Sequence, residues 1–259
     1  MPRAFTRAVS PRLAECELTH RERVPIDPVK AAAQHDAYEQ ALAGGGFEVL
    51  RLPELPDHPD AVFVEDTALL LDGRAIILRP GVASRARETE STASGLTGHF
   101  EIHRLDRGSV DGGDVLRIGR KLYVGRSTRT DAEGIVALRE AVAPLGYELV
   151  QAEVRDCLHL KTGATFAGSD AHGMPVLLYD ERAVDPRQFS SIEPVAVDDS
   201  EPAAANALRA GDRLILPAGN PRTAGLLRDR GFQVFEVDVS ELQKAEAGVT
   251  CMSLVDERD

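Results

Sequence analysis

Three residues of this chain have the types that nucleophilic chemistry needs. Cys251 stands in A-G-V-T-C-M-S-L-V, eight residues before the end; His159 stands in C-L-H-L-K; Asp111 stands in G-S-V-D-G-G-D. A thiol, a base and an acid that orients the base are the minimal parts of a nucleophilic site, because a free thiol ionises only near pH ~8.5 and needs help to attack at neutral pH. More carboxylates, Asp60, Glu65 and Asp66, fall in H-P-D-A-V-F-V-E-D. Arginines recur after glycines in R-P-G-V-A-S-R, V-G-R-S-T-R-T and P-A-G-N-P-R-T: Arg85 and Arg129 four residues beyond Gly81 and Gly125, Arg222 three beyond Gly219. Singly, each has an ordinary explanation. A cysteine in an apolar strand is usually a small buried hydrophobe, a histidine in an alternating strand a core or surface residue, and the glycines of D-G-G-D the makers of a turn. A cation at a helix start opposes the helix dipole and asks for another role. The weight lies in their recurring at equivalent places.

Those places are set by a repeat. Runs rich in β-formers, broken by tight-turn residues, read as hairpins at A-V-F-V-E-D-T-A-L-L-L-D-G-R-A-I-I-L, G-D-V-L-R-I-G-R-K-L-Y-V-G, C-L-H-L-K-T-G-A-T-F…M-P-V-L-L-Y and A-N-A-L-R-A-G-D-R-L-I-L. Each is followed by a helix-like segment, such as Thr130 to Val142 with Ile135, Leu138 and Val142 apolar, and then by a further strand. The hairpin turns at Gly73, Gly119, Gly173 and Gly211 lie 46, 54 and 38 residues apart, a period that marks a repeat architecture. A fifth unit forms if the last strand, Val249 to Val255, pairs with the first, Ala4 to Val9, ahead of a helix around Val29 to Leu42 and a strand from Phe47 to Leu52. The expectation is a closed five-bladed α/β propeller, one domain over residues 1–259. Pseudo-symmetry then carries the residues that enter each first strand to one end of the axis, with two or three of the arginines around them.

Composition narrows the function classes. Of 259 residues, 43% are hydrophobic and 28% charged, as in soluble globular proteins. The opening M-P-R-A-F-T-R-A-V-S lacks the apolar core of a signal peptide and no run approaches ~18 apolar residues, so a cytoplasmic protein without membrane contact is expected. Cys16, Cys157 and Cys251 are too few and too scattered for a disulfide framework and are read as reduced thiols. A net charge of −12 argues against nucleic acid and favours a small cationic ligand.

F-V-E-D, D-G-G-D-V-L, V-G-R-S-T-R-T, L-H-L-K-T-G and G-V-T-C-M-S-L together resemble the dimethylarginine dimethylaminohydrolases, within the guanidino-group modifying (pentein) superfamily that includes arginine deiminase. The resemblance runs along nearly the whole chain, although D-G-G-D alone is shared across the superfamily. It implies the five-bladed propeller and a role for each matching position. Cys251 matches the nucleophile, His159 the general acid and base, Asp111 the acid that orients the histidine. Glu65 and Asp66 match the guanidinium binders, Arg85 and Arg129 the clamp on the α-carboxylate, and Asp60 with the backbone of Leu18 the contacts to the α-amino group. Asp111 stands where some members have glutamate. Glu246, counted with the substrate-binding set, stands five residues before Cys251 where the family commonly has aspartate.

The chemistry so implied is hydrolysis of Nω-methylated arginines to citrulline with loss of dimethylamine or methylamine. A guanidinium is planar, cationic and resonance-stabilised, so its carbon resists attack until carboxylates fix its charge and plane. No metal and no cofactor is expected, since the histidine and cysteines lack closely spaced ligand pairs. The alternatives are an arginine deiminase-like enzyme, which usually carries an inserted helical domain for which this length leaves no room, and a non-catalytic binding module on the same fold, which needs no thiol and base. Between the first strand and the first helix, R-L-A-E-C-E-L-T-H-R-E-R-V-P-I-D-P is a long connection, and residues from about Glu17 to Pro25 are expected to form a lid.

Overall fold

The computed structural model describes residues 1–256 of the chain. Each expected hairpin turns at a glycine in left-handed backbone: Gly73, Gly119, Gly173 and Gly211 all have positive φ, between 59° and 90°. The strands so joined are β3 (Ala68–Leu71) with β4 (Arg74–Ile77), β6 (Val115–Ile118) with β7 (Lys121–Arg126), β9 (Ala164–Ser169) with β10 (Pro175–Tyr179), and β12 (Leu208–Ala210) with β13 (Arg213–Pro217). Each pair is antiparallel, and its second strand then pairs in parallel with a third: β5 (Glu101–Arg104), β8 (Glu148–Glu153), β11 (Glu193–Ala196) and β14 (Gln233–Val237).

The fifth sheet is made from both ends of the chain. β15 (Leu254–Asp256) lies antiparallel to β1 (Arg3–Thr6), in the register Phe5↔Leu254, and β1 lies parallel to β2 (Glu48–Arg51). Five three-stranded sheets of identical order thus close a ring, the five-bladed α/β propeller that the repeat implies. The closing strand is shorter than expected, because Val249 to Ser253 turn rather than extend.

Helices make the parallel crossovers. α1 (Pro28–Gly44) begins where Asp27 accepts the backbone N–H groups of Val29 and Lys30, and α3 (Ala132–Val142) where Asp131 accepts that of Gly134; these caps satisfy the donors a helix start leaves unpaired. α2 (Glu88–Leu96) and α5 (Pro221–Asp229) serve two further blades. The β10–β11 crossover contains only a 3-10 turn, Pro186–Gln188, where a helix was expected. Its sequence, D-P-R-Q-F-S-S, starts like a helix with a capping aspartate and a proline but has no apolar 3.6-residue period to bury.

Five apolar clusters fill the gaps between neighbouring blades; in one, Leu71 and Ile76 of one hairpin meet Val115 and Leu122 of the next under Ile135 and Leu138 of α3. The first strands of the blades, β3, β6, β9, β12 and β15, surround a central channel of ≈ 430 Å³. Among the described residues no helix is long and apolar enough to cross a membrane.

Candidate active site

The residues singled out for chemistry do not sit in strands. Glu65 and Asp66 lie in a 3-10 turn, Val64–Thr67, that leads into β3; Asp111 precedes another, Gly112–Asp114, that leads into β6. His159 starts the one-turn helix α4 (Leu160–Gly163) before β9, and Cys251 lies in the turn before β15. The sequence pattern placed His159 and Cys251 in strands. Successive strand residues point to opposite faces, whereas a short turn at the mouth of each first strand, helical in four blades and non-helical before β15, aims residues from several blades at one end of the axis.

There, Asp60, Asp66, Arg85, Arg129, His159, Glu246 and Cys251 all line one small cavity of ≈ 20 Å³. One carboxylate oxygen each of Asp66 and Asp111 and one ring nitrogen of His159 lie within 4.8 Å of one another, all three residues buried. His159 Nε2 is 3.0 Å from Asp111 Oδ2, and Asp111 is itself fixed, its Oδ1 accepting the N–H of Gly81 at 2.8 Å. The glycines of D-G-G-D serve close approach rather than left-handed turning: a Cβ on Gly113 would stand 2.5 Å from His159 Nδ1, and one on Gly112 would stand 1.9 Å from the carbonyl oxygen of Glu65.

Electrostatics act oppositely on the charged forms of His159 and Cys251. Burial alone would lower the His159 pKa, but the charge of Asp66, the hydrogen bond to Asp111 and the charges of Asp114 and Asp111 outweigh it and hold the imidazole up at about 9. The Cys251 thiol is pushed up to about 12, by burial first and then by the nearby charges of Glu65 and Asp66, against the N–H of Gly248 and the ammonium of Lys161. Without a ligand the site therefore holds a protonated base beside a protonated thiol. A cation seated against Asp66 removes part of what suppresses the thiolate.

The residues expected to bind substrate divide. Arg129 donates to Thr19 Oγ1 at 2.8 Å and has no carboxylate partner among the described residues. Arg85 is buried and already bound: to Asp66 Oδ2 at 2.6 Å, to Glu88 Oε2 at 2.9 Å and to the carbonyl of Phe63 at 2.7 Å. Asp60 accepts the N–H of Glu17 at 3.2 Å, and burial raises its pKa to about 6. Glu65 does not join this group. Its carboxylate lines the central channel, accepting from Lys161 Nζ at 2.5 Å and from Thr250 Oγ1 at 2.8 Å, because neighbouring residues of the turn face opposite sides and Asp66 takes the site side. Arg222, one residue nearer its glycine than the other two arginines, is exposed at the surface and pairs with Asp198.

Glu246 sits over the opening. Its carboxylate accepts three backbone N–H groups of the connection after β1, those of Thr19 at 2.9 Å and of His20 and Arg21 at 2.6 Å. Leu18, half-buried, packs into the same apolar cluster as Cys251. The connection after β1, expected to be a lid, is bonded to Glu246 beside a cavity with room for no more than about one water. Sequence reasoning missed four residues: Asp114, which accepts the N–H of Leu160 at 2.9 Å and so holds α4; Lys161; Thr19; and Asn206. The repeat offered a signal for Asn206, the one polar residue entering the first strand of the fourth unit.

No protein-family model matches the chain. It is 39% identical over 254 residues to the N(G),N(G)-dimethylarginine dimethylaminohydrolase of Streptomyces coelicolor, covering 97% of this chain and 96% of that protein. To the enzyme of the same name from Pseudomonas aeruginosa it is 35% identical over 231 residues, 88% of this chain and 89% of that one. A solved structure of the Pseudomonas aeruginosa protein, a cysteine-to-serine mutant complexed with citrulline, superposes with a TM-score of 0.91 at 33% identity, covering 98% of both chains.

Proposed function

The chain belongs to the dimethylarginine dimethylaminohydrolase family, and from that premise we propose that it converts Nω-methylated arginines to citrulline, with Cys251 holding the reacting carbon as a thiouronium. The observation that carries the proposal is the meeting of a thiol, a buried His–Asp pair and the carboxylate of Asp66 at one cavity under a lid.

The substrate is a small cation with a free amino-acid end. Asp66 accepts the guanidinium N–H donors on lone pairs that Gly113 N–H and Arg85 leave open, and so fixes the plane of the group. Arg129 takes the α-carboxylate, while Asp60 and the backbone at Leu18 take the α-amino group. Arg85 acts one step back, by holding Asp66. Glu65 belongs to the wall behind the thiol and not to direct substrate contact, and Glu246 closes the lid.

Cys251 gives its thiol proton to solvent as the substrate cation arrives, and the sulfur attacks the guanidinium carbon. The protonated His159 donates to the methylated nitrogen, the C–N bond breaks and the amine leaves. His159, now neutral, takes a proton from water; the hydroxyl oxygen bonds to the carbon, the C–S bond breaks, the leaving sulfur takes the hydroxyl proton, and citrulline departs with the thiol restored. We read residues 1–259 as one domain working in the cytoplasm without nucleic acid, metal or cofactor.

Amino-acid analysis after separate incubation with asymmetric dimethylarginine and with arginine tests this. Citrulline from the first alone is expected. Citrulline from arginine alone would transfer the chain to deiminase chemistry, and none from either would remove the enzymatic reading.

A further inference from the structure

Four blades bring a titratable or nucleophilic group to the end of the axis, and the fourth unit brings an amide. Asn206, 5% exposed, follows the 3-10 turn Pro202–Ala205 and precedes β12. Its Nδ2 donates to the carbonyl of Lys161 at 2.8 Å and to Thr250 Oγ1 at 3.0 Å, and its Oδ1 accepts the N–H of Thr250 at 3.1 Å. The first bond reaches the helix that begins at His159. The other two grip the residue before Cys251.

The contacts extend further on the thiol side. A Cβ on Gly248 would lie 2.2 Å from Asn206 Oδ1, so the backbone there presses directly on the amide. Gly248 in turn donates its N–H to Cys251 Sγ at 3.4 Å. Thr250 Oγ1 donates its own hydrogen bond to Glu65 Oε2 at 2.8 Å. The Asn206 segment is itself held to β9, where Thr165 Oγ1 donates to the carbonyl of Ala205 at 2.7 Å and accepts the N–H of Ala207 at 3.1 Å. One planar amide therefore spans two blades and ties the turn carrying the thiol to the turn carrying the base.

We infer that Asn206 is a positioning residue for the reaction: its amide fixes the Cys251 turn against the His159 helix and so sets the approach of sulfur and imidazole to the substrate carbon. The inference rests on the roles proposed for Cys251 and His159. Asn206 does not line the site cavity, so its effect should fall on the chemical step and not on affinity. The site needs two donors and one acceptor on a flat group, which asparagine alone supplies at this length. Aspartate has the shape but no donor, and would put a second negative charge beside Glu65.

The test compares Asn206→Ala, Asn206→Asp, Thr250→Val and Thr250→Ser with the wild type in kcat, KM, melting temperature and rate of Cys251 alkylation by iodoacetamide, mapped by peptide mass. Rates are normalised to active sites titrated with a covalent amidine. Displacing a reacting group by about 1 Å costs on the order of 10²-fold, so Asn206→Ala and Asn206→Asp should lose about 10- to 100-fold in kcat with KM changed less than about threefold. Thr250→Val should fall in the same sense, while Thr250→Ser, which keeps the hydroxyl, stays near wild type.

Should Asn206→Ala fail to fold, Asn206→Asp and Thr250→Val carry the same reading. A folded Asn206 variant with kcat per active site within about threefold of wild type, or with its loss confined to KM, overturns the inference. Turnover by Cys251→Ser would remove the premise instead. An inert Cys251→Ser beside a fully active Asn206→Ala rejects the positioning role alone.

Discussion

His159 Nε2 and Asp111 Oδ2 stand 3.0 Å apart with both side chains buried, and Asp66 lies within 4.8 Å of the pair. Asp66, Asp111 and the charge of Asp114 together keep the imidazole protonated up to about pH 9, so a form with a proton to give to a leaving amine persists well above neutrality. The plot of kcat/KM against pH should accordingly fall on its alkaline side through about 9. In Asp111→Asn the fall should move to lower pH and the plateau should drop by about 10²-fold or more, the range in which a positioned acid–base group contributes. An alkaline limb that does not move would take the proton-carrying role away from His159.

The same raised pKa acts on stability. A histidine protonated more readily in the folded than in the unfolded chain adds stability that is complete below its unfolded pKa of about 6.5 and fades as pH rises through its folded value. The window is therefore about 6.5 to 9. Measured by urea denaturation, the stability of the wild type relative to His159→Asn should decline steadily across it. A difference that is flat, or that grows with pH, would contradict the electrostatic picture of the site.

The two pocket arginines should fail differently. Among the described residues the Arg129 guanidinium meets a hydroxyl and no carboxylate, so Arg129→Ala should raise KM for dimethylarginine and leave kcat and turnover of methylguanidine, which has no carboxylate, near the wild-type values. Arg85 is the buried cation between Asp66 and Glu88, and Arg85→Ala strands two carboxylates, a loss of roughly 3–5 kcal/mol in stability for a broken buried pair. Thermal unfolding and steady-state kinetics separate the two. Equal melting temperatures for wild type and Arg85→Ala would show the cluster to be less tightly built than its geometry implies.

Three backbone N–H groups converge on the Glu246 carboxylate, and Arg21 and Arg23 add bonds to the carbonyls of Gln243, Ala14 and Cys16. With the lid so held, tryptic cleavage after Arg21 or Arg23 should be slow even in free enzyme. Glu246→Ala should speed it at least about tenfold, since charge-assisted hydrogen bonds contribute about 1.5–3 kcal/mol each. Cleavage at the wild-type rate in Glu246→Ala would show that the carboxylate does not hold the loop.

Repeat spacing and turn chemistry are local properties, and they were enough to read the architecture. Gly73, Gly119, Gly173 and Gly211 mark hairpins because only left-handed backbone closes those turns, and the spare strands at the two ends left ring closure as the way to complete a fifth sheet. The weak points were also local. The crossover around Pro186 lacks an apolar stripe, and no strand pattern reveals that His159 and Cys251 stand in turns at the strand mouths.

Residue type and equivalent position along the chain thus determined which groups meet: thiol, base, acids and arginines at one end of an axis. Which way each side chain faces was decided only by packing. Glu65 and Asp66 are adjacent in sequence, yet one bonds Lys161 on the channel side and the other bonds Arg85 and Gly113 on the site side. Arg85 and Arg129 carry the same spacing signal, yet Glu88 and Asp66 neutralise the first while the guanidinium of the second meets the hydroxyl of Thr19 and no carboxylate among the described residues. Asn206 and Glu246 draw their meaning from residues 44 and 227 positions away, contacts that exist only once the blades have closed. A sequence fixes the chemistry each residue can offer; the direction and partners of a buried polar group follow from satisfying every hydrogen bond around it at once, and that condition holds only in the assembled ring.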